Sequence, residues 1–241
     1  MLPLERQNKI LEILAKKKAA TVDELCSQLY SSGATIRRDL VILENNRLIR
    51  RTHGGAIYID GNASEFPLNM RESENIVLKD AIARKALPYI KDGMTLFMDS
   101  SSTVCALAEK LNGFKNLRIV TNGLKTCSIL SEKDGIEIFC TGGKLRKNAK
   151  SLIGSAAINS VDDFYADIAF ISCRGVDAKM GFSDANEDEA ELKRAYIKNS
   201  NKLILLCDSS KINKKSFCKI GDMKNVWKLI SDKELDGEYN I

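Results

Sequence analysis

The chain has 241 residues, room for one small and one ordinary domain, and its 44% hydrophobic and 29% charged residues mark a soluble globular protein. No apolar run approaches the roughly twenty residues that cross a bilayer. Glu5 and Arg6 stand where a signal peptide needs an uncharged apolar core, so a cytoplasmic protein without membrane association is expected. A net charge of +5 does not by itself imply nucleic acid. Its distribution is more telling: Arg6, Lys9, Lys16, Lys17, Lys18, Arg37, Arg38, Arg47, Arg50 and Arg51 crowd the first segment against Glu5, Glu12, Asp23, Glu24, Asp39 and Glu44. Attraction to phosphate should come from that end and weaken with salt. The seven cysteines form no Cys-x-x-Cys pair, and His53 is the single histidine, so no metal site and no cofactor are expected. Cys105, Cys140 and Cys207 lie within or beside apolar segments, where buried reduced thiols are the default reading.

Residues 4–16 read as a first helix, with Leu4, Ile10, Leu11 and Leu14 on one face. A second follows, capped by Thr21, with Val22, Leu25, Cys26 and Leu29 at the same period. After Tyr30-Ser31, Ser32 caps a third helix whose Ile36, Leu40 and Leu43 face inward. Thr35, Arg37 and Arg38 fall on its other faces, near the helix start, where a recognition helix touches bases and phosphates. Two short amphipathic helices across so tight a turn fit a helix-turn-helix; the competing reading is a helical hairpin with a solvated arginine pair. Two β-prone runs around Gly54-Gly55 then predict a hairpin wing, with Arg50, Arg51 and His53 placed to meet flanking phosphates.

This region resembles the amino-terminal part of the DeoR family of bacterial transcriptional regulators, through Thr35-Ile36-Arg37-Arg38-Asp39-Leu40 and His53-Gly54-Gly55-Ala56. Where the family commonly has Gly, Val and Ser leading into the recognition helix, this chain has Tyr30, Ser31 and Ser32. The expected DNA-contacting set is Ser32, Thr35, Arg37, Arg38, Arg50, Arg51 and His53.

Periodicity fades beyond residue 58, with Gly61, Asn62, Ser64 and Pro67 as punctuation. The chain accordingly divides into a winged helix-turn-helix domain at 1–58, a linker at 59–73 and a larger domain at 74–241. Residues 74–90 return to helical spacing. Short apolar runs follow at 94–98, 117–120, 136–139, 168–171, 203–206 and 226–230, with helical stretches near 102–112, 123–132, 152–162 and 185–199. Such alternation predicts an α/β fold with a mainly parallel sheet flanked by helices.

In open sheets of this kind ligands lie beyond the carboxyl ends of the strands. The exits here are Asp99-Ser100-Ser101-Ser102-Thr103, Thr121-Asn122-Gly123, Thr141-Gly142-Gly143-Lys144 and Asp208-Ser209-Ser210-Lys211. Small hydroxyl residues opening a helix suit a phosphate, although each loop alone also reads as ordinary caps and turns. This half resembles the carboxy-terminal effector domain of the same family, itself similar to ribose-5-phosphate isomerase and usually a receptor for a phosphorylated sugar. The corresponding residues are Asp99, Ser100, Ser101, Ser102, Thr103, Thr121, Asn122, Gly142, Gly143, Gly175, Glu189, Lys193, Asp208 and Lys211. The basic stretch Lys144–Lys150 is either a solvated loop or a flap over an anion.

The expected function is a DNA-binding regulator, by family habit a repressor of sugar-metabolism genes, whose operator affinity a sugar phosphate modulates. An operator with two half-sites requires a homodimer or homotetramer. Two alternatives compete. One is a sugar-phosphate isomerase tethered by the basic domain, with Glu189 or Glu191 beside Lys193 as acid and base. However, the acids 184–191 open a helix, where its dipole already explains them. The other is a redox-responsive regulator using Cys26.

Overall fold

The computed structural model describes residues 1–46, 48–59, 66–235 and 237–239, which divide into two compact units, Met1–Glu74 and Asn75–Ile241. The first contains α1 (Pro3–Lys17), β1 (Ala19–Thr21), α2 (Val22–Leu29), α3 (Gly33–Asn45), β2 (Ile49–Thr52), β3 (Gly55–Tyr58) and α4 (Leu68–Ser73). Helix α2 opens with a capping box: Thr21 Oγ1 accepts from the Glu24 amide at 3.2 Å, and the Thr21 amide donates to Glu24 Oε2 at 2.8 Å. Ile36, Leu40 and Leu43 of α3 are buried with Leu25 and Leu29 of α2 and Ile10 and Leu14 of α1. At about 1.5–3 kcal/mol per fully buried leucine or isoleucine, this apolar cluster is the main force holding the unit together.

A polar tie accompanies it. Asp39, 2% exposed, accepts from Arg6 Nε at 2.5 Å and Gln7 Nε2 at 2.9 Å, fastening α1 to α3. The wing is an antiparallel sheet in the order β1-β3-β2. Strand β1, three residues long, carries no period of its own in the sequence. Gly55 lies so close to the Ala20 carbonyl that any β-carbon there would overlap it.

The expected linker is only partly a linker. Residues 60–65 lie outside the described residues, but Leu68–Ser73 form α4, and Met70 is buried in the first unit's core. Asn8 Nδ2 also donates to Ser73 Oγ at 2.8 Å. Six residues are too few to show a helical period, so the sequence pattern hides this helix.

The second unit runs α5 (Ile76–Ala86), β4 (Thr95–Met98), α6 (Ser102–Ala108), β5 (Leu117–Thr121), α7 (Leu124–Leu130), β6 (Ile136–Cys140), β7 (Lys144–Arg146), β8 (Ser151–Ile153) and α8 (Ser155–Asp162). It continues through β9 (Ala166–Ser172), β10 (Gly175–Asp177), β11 (Gly181–Asp184), α9 (Glu187–Lys198), β12 (Ser200–Leu206), β13 (Cys218–Gly221) and β14 (Lys228–Ile230). Six strands make a parallel sheet in the order β14-β12-β9-β4-β5-β6. Alternate residues feed opposite faces. Phe97, Ala169, Ile171, Leu203 and Leu205 pack with Ala157 and Val161 of α8 and Leu192 and Tyr196 of α9. Leu96, Met98, Phe170, Ile204 and Leu206 pack with Ile82 of α5 and Leu107 of α6. Burial on both faces is why these strands read as continuous apolar runs. A small antiparallel sheet, β10-β11-β13, and the hairpin β7-β8 add to this frame.

Candidate nucleic-acid interface and effector site

In the first unit, the α3 N-cap forms as the sequence predicts: Ser32 Oγ accepts from the Thr35 amide at 3.3 Å and lies 2.9 Å from Thr35 Oγ1. The turn before it is made without glycine. Tyr30 takes the left-handed conformation, φ 49° and ψ 47°, and its amide donates to the Cys26 carbonyl. Ser32, Arg37, Arg38, Arg50 and His53 are exposed, and Thr35 is half-buried. Among the described residues, Arg37, Arg38 and Arg50 make no ion pair, which leaves them free for an external anion.

Two basic residues are otherwise engaged. Arg51 Nε lies 3.4 Å from Glu44 Oε2 and its amide donates to Glu44 Oε1 at 2.8 Å, tying wing to α3. Arg6, counted in the basic cluster, is spent on Asp39 with its side chain 11% exposed. Arg47 lies outside the described residues.

In the second unit, the strand exits bring together most of the expected residues. Asp99, at the end of β4, accepts from the Ser172 amide and the Ser101 amide, each at 2.9 Å. Lys193, on α9, places Nζ 2.6 Å from Asp184 Oδ2, 3.4 Å from Asp99 Oδ2 and 2.8 Å from the Ser172 carbonyl it donates to. Lys211 Nζ lies 3.3 Å from Asp208 Oδ2 and 3.4 Å from Ser172 Oγ. One helical turn before Lys193, Glu189 accepts from Arg146 at 2.7 Å, from Ser100 Oγ at 3.4 Å and, closely, from Ser151 Oγ. Asp99, Asp184, Glu189, Lys193 and Asp208 are each at most 5% exposed.

Burial would push the Lys193 ammonium down, but Asp184, then Asp99 and Glu189, outweigh it and hold the group above its ordinary range. Burial likewise pushes Asp184 up, and Lys193 more than offsets this, leaving the carboxyl below its ordinary value. Asp208 is lowered in the same way, Lys211 overcoming its burial. Lys193, Asp184 and Asp208 are therefore charged at neutral pH. Thr103 Oγ1, in the first turn of α6, is fully buried without a hydrogen-bond partner among the described residues. Ser101 is spent as the α6 cap, its Oγ accepting from the Val104 amide, while Ser102 beside it is 7% exposed.

The remaining expected residues are placed differently. Thr121 Oγ1 accepts from the Gly123 amide. Asn122 bridges the Leu152 carbonyl and the Tyr196 hydroxyl, so it braces the hairpin and α9. Gly142 and Gly143 are exposed, and Gly143 adopts φ +120° with Ile153 O 2.5 Å from where a β-carbon would lie. They shape the entry to β7; beside them a cavity of about 360 Å³ is lined by Phe139, Cys140, Thr141, Ser160, Asp163 and Phe164. The space beside Gly175 is filled by the Lys214 backbone, so this glycine serves packing between β10 and that loop.

Other placements differ from the sequence reading. Lys144–Lys150 is only in part a solvated loop: Lys144–Arg146 form β7 of the β7-β8 hairpin with residues 147–150 as its turn, and Arg146 reaches the Glu189 carboxylate. Asp184 and Glu189 are buried ion-pair partners, so the helix dipole alone does not account for the acidic run, whereas Glu191 is exposed. Cys140 is exposed rather than buried, while Cys105 and Cys207 are buried as expected. No group of metal-ligating side chains occurs among the described residues, and no helix there is long and apolar enough to cross a membrane.

Comparison with known proteins agrees with both halves. Residues 6–62 match the DeoR-like helix-turn-helix domain and residues 74–233 the DeoR C terminal sensor domain. The chain is 37% identical over 236 residues to the HTH-type transcriptional regulator GolR of Listeria innocua serovar 6a, covering 98% of this chain and 93% of that protein. It is 32% identical over 228 residues to the glycerol-3-phosphate regulon repressor of Escherichia coli K12, covering 95% and 90% respectively. The structure of ribose 5-phosphate isomerase A from Methanocaldococcus jannaschii aligns with a TM-score of 0.44 at 17% identity, over 58% of this chain and 55% of that one. A helix-turn-helix head with exposed arginines, followed by a sensor domain matched along nearly its full length, identifies this chain as a DNA-binding transcriptional regulator of the DeoR family.

Proposed function

We propose that this chain is a cytoplasmic repressor of sugar-phosphate metabolism that grips a two-half-site operator as a homodimer or homotetramer and is modulated by a small phosphorylated sugar. Ser32, Thr35, Arg37, Arg38, Arg50, Arg51 and His53 form the DNA-facing set, with Arg51 first exchanging its Glu44 partner for phosphate. The effector lies over the exits of β4, β9 and β12. Lys211 and Arg146, whose side chains are about one-fifth exposed, face its phosphate together with Ser102 and Thr103. Glu189 and Asp99 accept from sugar hydroxyls.

The observation that carries this reading is the buried ionic cluster of Asp99, Asp184, Glu189, Lys193 and Asp208 at the strand ends. Buried ion pairs contribute little to stability against apolar replacements. Their concentration where open α/β sheets bind ligands therefore favours a role in recognition. Relatives of this length are named as transcriptional regulators, which supports a receptor rather than the isomerase alternative.

Thermal-shift screening of the full chain against phosphorylated sugars and their unphosphorylated counterparts tests the proposal, since a ligand preferring the folded state raises the melting temperature. The phosphorylated form of at least one sugar should stabilise the wild type and alter DNA binding. Ser102→Asp, which sets a negative charge at the phosphate position, should lose both responses while binding DNA normally. A variant that still responds places the phosphate elsewhere.

A further inference from the structure

We propose that Tyr30 is a DNA-contacting residue: its ring packs on the deoxyribose edge of the duplex engaged by α3, and its hydroxyl donates to a backbone phosphate. This rests on the reading of the first unit as the DNA-binding head. Three observations carry it.

Tyr30 ends α2 in the left-handed region, φ 49° and ψ 47°, where a bulky side chain is strained and where glycine or asparagine normally serves. The capping is performed by its backbone, the amide donating to the Cys26 carbonyl, so nothing in the turn needs the aromatic ring. The side chain is 95% exposed, and among the described residues no hydrogen bond or ring contact involves it. The fold thus bears the cost of a bulky residue in the left-handed region that no contact of its ring offsets, and strain of this kind clusters at functional positions.

Place and charge name the partner. Tyr30 stands two residues before the Ser32 cap of α3, which presents Thr35, Arg37 and Arg38. From Cys26 to Arg38 the chain contains no carboxylate, so the segment that carries the ring adds no charge that repels phosphate. Tyrosine hydroxyls are among the groups that bond the DNA backbone and set a protein's register on it.

The test uses the full-length chain and a duplex enriched from a randomised library by the wild type. Tyr30→Gly and Tyr30→Asn both tolerate the left-handed backbone and both lack the ring; Arg37→Ala serves as the reference for the head itself. Tyr30→Gly and Tyr30→Asn should melt no lower than wild type yet bind the duplex about 5- to 30-fold more weakly. The slope of affinity against salt should stay unchanged, because no charge is removed. Tyr30→Phe should fall between them and wild type. If Arg37→Ala loses affinity while both ring-free variants bind within twofold of wild type, Tyr30 is not a contact and the head reading survives. If their affinity falls only in step with a lower melting temperature, the ring is structural and the proposal fails. If neither Arg37→Ala nor the Tyr30 variants change binding, the assignment of this surface to DNA fails with it.

Discussion

Replacing Lys193 by methionine removes a buried ammonium and keeps much of the side-chain volume. The lost group lies 2.6 Å from Asp184 and 3.4 Å from Asp99, with Glu189 one helical turn away. Taking away one partner of a buried ion pair leaves an uncompensated charge, and costs about 3–5 kcal/mol. With a urea dependence of about 2 kcal/mol per molar, the unfolding midpoint should fall by about 1.5–2.5 M. The chain's single tryptophan, Trp227, lies in the second unit against Tyr89 at 5.6 Å, so its fluorescence follows that unit alone. Acid dependence sharpens the test. Asp184 sits below its ordinary value of 3.8, so its stabilisation is present above that pH and is lost as pH falls through the folded value. Lys193 sits above 10.5, so its contribution is present below that pH and is lost only as pH rises through the folded value. In Lys193→Met the unpaired Asp184 takes up a proton at higher pH, which relieves the buried charge. The gap to wild type should therefore narrow between pH 7 and pH 4.5. The double variant Lys193→Met with Asp184→Leu removes both charges and should recover much of the loss. A gap under about 1 kcal/mol at pH 7, or one independent of pH, would refute the reasoning that these charges depend on each other.

Arg37→Ala and Arg38→Ala should each weaken binding to the selected duplex, by about 1–3 kcal/mol where the contact is a bidentate base pair, or with a salt slope smaller by about one where it is a phosphate. A footprinting titration separates the two cases, and unchanged affinity removes that residue from the interface. Gly55→Ala forces a methyl group onto the Ala20 carbonyl and should cost about 1–3 kcal/mol of overpacking in the first unit. Limited proteolysis should then cut first within residues 1–74, leaving Trp227 fluorescence unaltered; equal resistance to wild type would show that the wing yields freely.

What the sequence displays well is whatever repeats. The apolar stripe Ile36, Leu40, Leu43 is visible because burial on one face selects side chains at the helical period, and the strands Thr95–Met98, Ala166–Ser172 and Ser200–Leu206 because burial on both faces makes a continuous apolar run. Short strands without a continuous apolar run or a turn signal, such as Ser151–Ile153 and Gly181–Asp184, go unseen. Long-range polar partners are equally silent. Asp39 lies inside the Thr35–Leu40 motif, yet nothing local tells that it binds Arg6, 33 residues earlier. In the effector half, the strand-exit rule located Asp99, Lys211 and Asp208, but Asp184 was masked by an acidic run that also suits a helix start. Arg146 was masked by a basic stretch that also suits solvent. In both cases the residue type was visible, and only the fold decided which of its two roles it took.

The link from ligand to DNA can be small in energy and still be effective. If effector and operator bias one equilibrium, each must lower the other's affinity by the same factor. A tenfold effect needs only about 1.4 kcal/mol of difference between the two arrangements, comparable to one or two hydrogen bonds made in one arrangement and not the other. The Glu189 carboxylate has that capacity. It holds the β7-β8 hairpin through Arg146 and Ser151 and the β4 exit loop through Ser100, while Lys193 on the same helix face holds Ser172 and Asp184. A sugar hydroxyl that takes one of these bonds from Ser100 or Arg146 shifts the balance between hairpin, helix and strand exit together.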